Sequence, residues 1–138
     1  MKELTLQAVT KNLPKVAEFI NRELEALACP LKARTQVDVV IDELFANIAS
    51  YAYTPGTGEV TVRFAFDASS RRVELVFIDR GRPFDPLAGA DPDVTLPAEE
   101  RQIGGLGIFL VKKLMDSVEY QYRDGQNILT VRKQIDTR

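Results

Sequence analysis

Between about Lys32 and Tyr53 the apolar residues Val37, Ile41, Leu44, Phe45, Ile48 and Ala52 recur at helical spacing and form one stripe, stopped by Thr54-Pro55-Gly56. Directly after it the period falls from about 3.6 to about 2 residues. Val60, Val62, Phe64 and Phe66 share one face of a first run, and Val73, Leu75 and Phe77 one face of a second. Asp67 to Arg72 supplies the hairpin between them. The opposite face of the first run holds Glu59, Thr61, Arg63 and Ala65, so the sheet is covered on one side and wet on the other, as antiparallel sheets often are. A striped helix and a one-faced sheet bury their apolar sides against each other. The expected fold is α+β, a two-layer α/β sandwich with a mixed, mostly antiparallel sheet and its helices on one face.

The rest of the chain fits that plan. Leu4, Leu6 and Ala8 alternate with polar positions as an opening strand, and Val16, Phe19, Ile20 and Leu24 follow at helical spacing until Cys29-Pro30. After Asp79 the pattern dissolves into about two dozen residues rich in Pro, Asp, Gly and Ala, long for a connection inside a domain and therefore read as a functional lid. A last helix is expected from about Gly105 to Asp116, with Leu110, Val111, Leu114 and Val118 at helical spacing. Strands at Val118 to Tyr122 and Ile128 to Arg132 flank a turn at Asp124-Gly125-Gln126-Asn127. With 138 residues and no internal repeat or dividing linker, residues 1–138 are expected to form one domain.

Composition removes several functions. The net charge of −2, with Lys and Arg spread along the chain, offers no basic field for nucleic acid or anionic lipid. No apolar stretch approaches the roughly 18 residues that cross a bilayer, and Met1 to Lys15 holds no apolar signal-like core, so a cytoplasmic location is expected. The absence of histidine excludes Ser-His-Asp and Cys-His catalysis, and Cys29, the only cysteine, is read as a small buried hydrophobe.

Three segments carry chemistry. Glu43 and Asn47, four apart, project in nearly the same direction from the flank of the helical stripe. On their own they read as a solvated helix edge. Asp79-Arg80-Gly81 ends a strand in a carboxylate, and Gly81 lets the backbone turn tightly near a ligand. Ile103-Gly104-Gly105-Leu106-Gly107-Ile108 places three glycines before an apolar helix, where free N–H groups and the positive helix end suit phosphate; the bland alternative is a hinge. There is no Gly-x-x-x-x-Gly-Lys P-loop, no eukaryotic-type kinase landmark set, and no dinucleotide fingerprint, because Leu110 stands where its third glycine or alanine belongs.

In order and spacing these elements resemble the N box and the two glycine boxes of the Bergerat-fold ATPases, the superfamily of gyrase, the ninety-kilodalton heat-shock chaperone and histidine kinases. Within it, Asp42 to Tyr53, the Pro-Phe-Asp-Pro at 83 to 86 and the Gly-Gly-Leu-Gly-Ile-Phe-Leu-Val at 104 to 111 look like the anti-sigma-factor serine kinases. The resemblance implies ATP and Mg²⁺ as cofactors. It makes the Asn47 side-chain oxygen a Mg²⁺ ligand, Asp79 the acceptor of the adenine amino group, and Gly81 the residue that lets the base approach. Gly104, Gly105, Leu106 and Gly107 would hold the phosphates, with Arg101 beside them, and Glu43 would act on the attacking hydroxyl. Tyr51 stands where many of these kinases have histidine, and Leu87 to Gln102 has no segment that aligns.

The implied activity is a serine/threonine kinase that phosphorylates an anti-anti-sigma (STAS-type) protein and sequesters a sigma factor, with self-pairing as a homodimer. A second reading is an ATP-gated binding module with little phosphoryl transfer, which fits every motif except Glu43. A third, the ATP-binding half of a histidine kinase, needs a phosphoacceptor histidine from another chain.

Overall fold

A computed structural model describes residues 1–88 and 105–136. Its elements run β1 (Lys2–Gln7), α1 (Leu13–Ala26), α2 (Leu31–Asn47), β2 (Glu59–Asp67), β3 (Arg72–Asp79), α3 (Gly105–Leu114), β4 (Ser117–Arg123) and β5 (Gln126–Gln134). A short 3₁₀ turn, Thr10–Asn12, leads into α1, whose first turn takes Pro14 at no cost because its N–H would be unpaired there. Past Asn47 the second helix widens into a π-turn, Ile48–Ala52.

The sheet order is β1-β2-β3-β5-β4, and each pairing among the described residues is antiparallel rather than mixed. The register lays residues out in rows that cross the sheet. Leu4, Val62, Phe77, Leu129 and Tyr120 form one such row, with Phe64, Leu75, Val131 and Val118 in the next. Val62, Leu75 and Val131 are wholly buried. Against this face pack Val16, Ile20 and Leu24 of α1, Val37, Val40, Ile41, Leu44 and Phe45 of α2, and Ile108 and Val111 of α3, in one hydrophobic cluster. The expected two-layer arrangement is what these contacts build.

The outer face is polar and paired. Glu3 meets Arg63 across β1 and β2 at 2.7 Å, and Arg132 on β5 reaches Glu74 at 2.9 Å and Glu119 at 3.1 Å on its two neighbours. Turn chemistry fixes both hairpins. Asp67 accepts hydrogen bonds from the Ser69 N–H and from the Ser69 and Ser70 hydroxyls, which also hold its carboxyl below the usual range. The β4–β5 turn is made by Asp124 and Gly125 alone, both at positive φ, the two-residue form that matches strand twist. Gln126 and Asn127, expected in that turn, are instead the first residues of β5.

Two further expectations are corrected on α3. The helix stops at Leu114, because Asp116 N–H pairs with the Arg132 carbonyl and draws the chain into β4. Its buried side is Ile108 and Val111, continued by Met115 just past its end, whereas Leu110 lies 37% exposed.

Removing buried volume should therefore outweigh breaking surface charge pairs. Phe45→Ala, at a position with no exposure, is expected to cost about 3–5 kcal/mol. Arg132→Ala, on the wet face, should cost below about 1 kcal/mol. Urea denaturation of both variants checks the contrast.

Candidate functional site

The last complete row of the inner face differs from the others. It runs Leu6, Val60, Asp79, Asn127 and Tyr122 across all five strands, and it places a carboxylate and an amide at the centre of an otherwise apolar surface. Asp79 is 6% and Asn127 7% exposed. Buried polar groups are costly unless hydrogen-bonded, and here they bond to each other: Asn127 Nδ2 donates to Asp79 Oδ1 at 2.9 Å. The Gly81 N–H donates to the same oxygen at 2.9 Å. Asp79 Oδ2 has no hydrogen-bond partner among the described residues.

Asn127 also holds the chain beyond β3. Its Nδ2 donates to the Arg82 carbonyl at 2.9 Å, and its Oδ1 accepts the Phe84 N–H at 3.2 Å and the Tyr120 hydroxyl. Burial, with the charges of Asp85 and Asp79 adding, raises the Tyr120 pKa and keeps that hydroxyl protonated.

The segment after Asp79 is fastened on its other side to the π-turn of α2. Helix ends leave carbonyls without intrahelical partners, and these are used: Ala52 O accepts the Arg82 N–H at 3.0 Å and Tyr51 O accepts Arg82 Nε at 3.1 Å. Tyr53 accepts the Arg80 N–H at 2.7 Å and donates to the Glu59 carbonyl at 2.6 Å. Burial pushes its hydroxyl above the usual tyrosine range, so it keeps the proton that it donates. This packing accounts for Gly81 directly. A Cβ there would lie 2.2 Å from the Ala52 carbonyl oxygen, so a side chain is excluded by protein backbone before any ligand is considered.

On α2, Glu43 and Asn47 are half-buried, while Asp42 and Ala46 beside them are exposed. The pair is therefore not the freely solvated helix edge that spacing alone allows. Glu43 reaches α3: a Cβ on Gly107 would meet its Oε2 at 2.1 Å. The missing side chain at Gly107 is thus the space that the Glu43 carboxylate occupies, next to the first turn of α3. Gly105 opens that helix. Arg101 and Gly104 lie outside the described residues, as does the expected lid apart from Leu87 and Ala88.

The structure thus gathers the expected residues into two groups, Asp79 with Gly81 and Glu43 with Gly107, both bordered by α2. Asn127, Tyr53 and Tyr120 were not among the expected site residues. For Asn127 a signal existed, since it falls in register with Leu129 and Val131 on the buried face of β5 and is the polar member of that alternation. Tyr53 carried no comparable sign, because its partner Arg80 lies on a segment distant in sequence, and Tyr120 acts only through Asn127 on the neighbouring strand.

The pattern of the Histidine kinase-like ATPase domain family matches residues 6–133, nearly the whole chain. The chain belongs to the histidine kinase-like ATPases. Among curated members, this ATPase domain is 32% identical over 100 residues to the Serine/threonine-protein kinase BtrW of Bordetella bronchiseptica, covering 72% of this chain and 70% of that protein. It is 30% identical over 95 residues to the Serine-protein kinase RsbW of Bacillus cereus, covering 66% of this chain and 58% of RsbW. Two solved structures share its fold. The RsbU and RsbW domains of Rv1364c from Mycobacterium tuberculosis superpose with a TM-score of 0.66 at 14% identity, over 98% of this chain and 33% of that one. The SiaB–SiaC complex from Pseudomonas aeruginosa gives 0.57 at 17% identity, over 94% and 88%.

The two glycines of this histidine kinase-like ATPase should respond differently to alanine. At Gly81 the obstacle is the Ala52 backbone, which cannot step aside, so Gly81→Ala should destabilise by about 1–3 kcal/mol. At Gly107 the obstacle is the tip of a flexible side chain, so Gly107→Ala should melt close to wild type while displacing Glu43. Thermal unfolding of the two variants side by side tests the distinction; a markedly unstable Gly107→Ala would count against it.

Proposed function

We propose that the chain is a Mg²⁺-ATP-dependent serine/threonine protein kinase that acts as an anti-sigma factor in the cytoplasm, as one ATP-binding domain over residues 1–138. Its acceptor is a STAS-type anti-anti-sigma protein, and it sequesters a sigma factor and pairs with itself. The observation that carries the nucleotide reading is Asp79: a buried carboxylate with one oxygen held by Gly81 and Asn127 and the other without a hydrogen-bond partner among the described residues. Kinship to BtrW and RsbW, whose names describe protein kinases, supports the reaction type.

An acceptor-only oxygen selects a base by its edge. Adenine presents an amino donor at its 6-position and guanine a carbonyl oxygen, so Asp79 attracts the first and repels the second. The phosphates belong at the start of α3, where the first N–H groups of a helix have no intrahelical partners. Among the described residues no group of three or more His, Cys, Asp or Glu side chains is placed to hold a metal ion alone. Mg²⁺ needs no such cage, since it takes most of its ligands from phosphate and water, and the Asn47 side-chain oxygen would provide the protein's share. When bound, the cation supplies charge neutralisation at the phosphates.

Glu43 stands one helical turn before Asn47 and reaches the α3 end through the gap at Gly107. It accepts the proton of the attacking serine or threonine hydroxyl. That oxygen bonds to the γ-phosphorus as the bond from phosphorus to the β,γ-bridging oxygen breaks, and ADP leaves. Positioning and charge neutralisation provide most of the acceleration in such transfers.

Two substitutions separate binding from transfer. Asp79→Asn keeps an oxygen for Gly81 and Asn127 but turns an NH₂ towards the base. ATP affinity should fall by roughly tenfold to over a hundredfold, the worth of a charge-assisted hydrogen bond, while GTP loses less. Calorimetry with both nucleotides measures this, and equal binding of ATP to the folded variant and the wild type would remove Asp79 from the site. Glu43→Gln should retain ATP binding and lower phosphoryl transfer to the partner by on the order of 10²-fold or more. Time courses with labelled ATP and the captured STAS-type partner decide it. Absence of transfer by the wild type, despite ATP-dependent partner binding, would favour a nucleotide-gated binding module instead.

A further inference from the structure

We propose that Asn127 is a positioning residue for base recognition: through its amide it orients Asp79 so that only Oδ2 faces the nucleotide, and it pins the Gly81–Phe84 segment that borders the base. The inference rests on the proposed function, since it assigns a determinant to the base site named there.

The orientation of the Asn127 amide follows from its partners. Phe84 N–H can only donate, so the atom it meets is Oδ1; the Asp79 carboxylate and the Arg82 carbonyl can only accept, so the atom that they meet is Nδ2. Both Nδ2 hydrogens are therefore committed, one to Asp79 and one to the Arg82 carbonyl, and both acceptor sites of Oδ1 are taken by Phe84 and Tyr120. Nothing of this side chain is left for a ligand. It acts through Asp79 and not by touching the base.

The consequence for Asp79 is directional. A carboxylate presents two equivalent oxygens, and rotation about its terminal torsion would exchange them or tilt both away from the base. Two donors on Oδ1, one from the strand beside it and one from its own turn, fix that torsion and leave Oδ2 directed away from them. Of these two donors only the Asn127 amide can be removed by a side-chain substitution. Tyr120 completes the arrangement by holding Oδ1 of Asn127 from β4, so three adjacent strands determine the aim of one carboxylate.

A residue that merely braced the fold would, when removed, lower stability and weaken all nucleotides alike. A positioning residue alters the ratio between nucleotides that differ at the edge Asp79 reads. The full-length protein, as wild type and Asn127→Ala, is titrated with ATP and with ITP, which carries a carbonyl oxygen where ATP carries the amino group. Steady-state phosphoryl transfer and thermal unfolding are measured on the same preparations. The expected result is a wild-type preference for ATP that narrows by about tenfold in Asn127→Ala, in line with one mis-set charge-assisted hydrogen bond. KM for ATP should rise with kcat nearly unchanged, because Glu43 and α3 are not disturbed.

Should Asn127→Ala fail to fold, Asn127→Asp keeps the side-chain shape but replaces the donor facing Asp79 with an acceptor, and the same narrowing is expected. A folded variant that melts lower but keeps the wild-type ATP:ITP ratio would overturn the proposal and leave the function intact. Equal wild-type affinity for ATP and ITP would overturn base reading by Asp79 itself, and the role of Asn127 with it.

Discussion

The hydrogen bond between Asn127 and Asp79 joins the middle of a sheet to the mouth of a site. Both residues sit in the final row of an inner face whose neighbouring row is filled by Val62, Phe77 and Leu129. A carboxylate there would be expensive to bury alone, and an amide there would leave donors and acceptors empty. Paired, they convert the end of the hydrophobic layer into a fixed polar floor. The turn at Gly81, the carbonyl of Arg82 and the N–H of Phe84 are all referred to that floor. The path of the segment beyond β3 is therefore set by these side-chain hydrogen bonds together with the Arg82 N–H bond to the Ala52 carbonyl.

Helix α2 provides the opposing wall. Ile41, Leu44 and Phe45 anchor it in the core, which carries Glu43 and Asn47 into half-buried positions at the edge of the packed layer. Its π-turn then offers the Tyr51 and Ala52 carbonyls to the segment after Asp79. Two glycines mark the points of closest approach. Gly81 is bare because the α2 backbone stands against it, and Gly107 is bare because Glu43 does. One helix thus spaces the site from both sides, and the carboxylate on the sheet and the carboxylate on the helix are positioned by different contacts. Under the proposed roles of Asp79 and Glu43, affinity and transfer can vary separately for that reason.

Much of this was legible in the chain itself. The stripe from Val37 to Ala52 and the alternation from Val60 to Phe77 record burial on one side, and burial is what pattern reports. The Asp79 and Gly81 spacing was equally visible, but the cause assigned to Gly81 was a ligand, whereas Ala52 is the first obstacle in the structure. Leu110 misled because apolar identity at helical spacing does not reveal which neighbouring stripe the core takes; Ile108, Val111 and Met115 are the ones covered. Asn127 was read as part of a turn because asparagine after Asp-Gly suits one, yet the positive φ values at Asp124 and Gly125 already complete that turn in two residues. A contact between segments distant in sequence, such as Tyr53 with Arg80, leaves no periodic trace.

The polar pair also bears on how strands find their partners. Along β5 the inner face alternates Asn127, Leu129 and Val131, and along β3 it alternates Val73, Leu75, Phe77 and Asp79. Sliding one strand past the other by a single residue would turn its apolar side to water, so alternation alone forbids that error. A slide of two residues is different: apolar still faces apolar over most of the length, and hydrophobicity scarcely distinguishes it. Such a slide would set Asp79 against Leu129, or Asn127 against Phe77, stranding a buried charge without its donor. One hydrogen bond at the end of the ladder thereby serves as an alignment mark for the whole central pairing, and the same atoms that shape the site select against its misassembled alternatives.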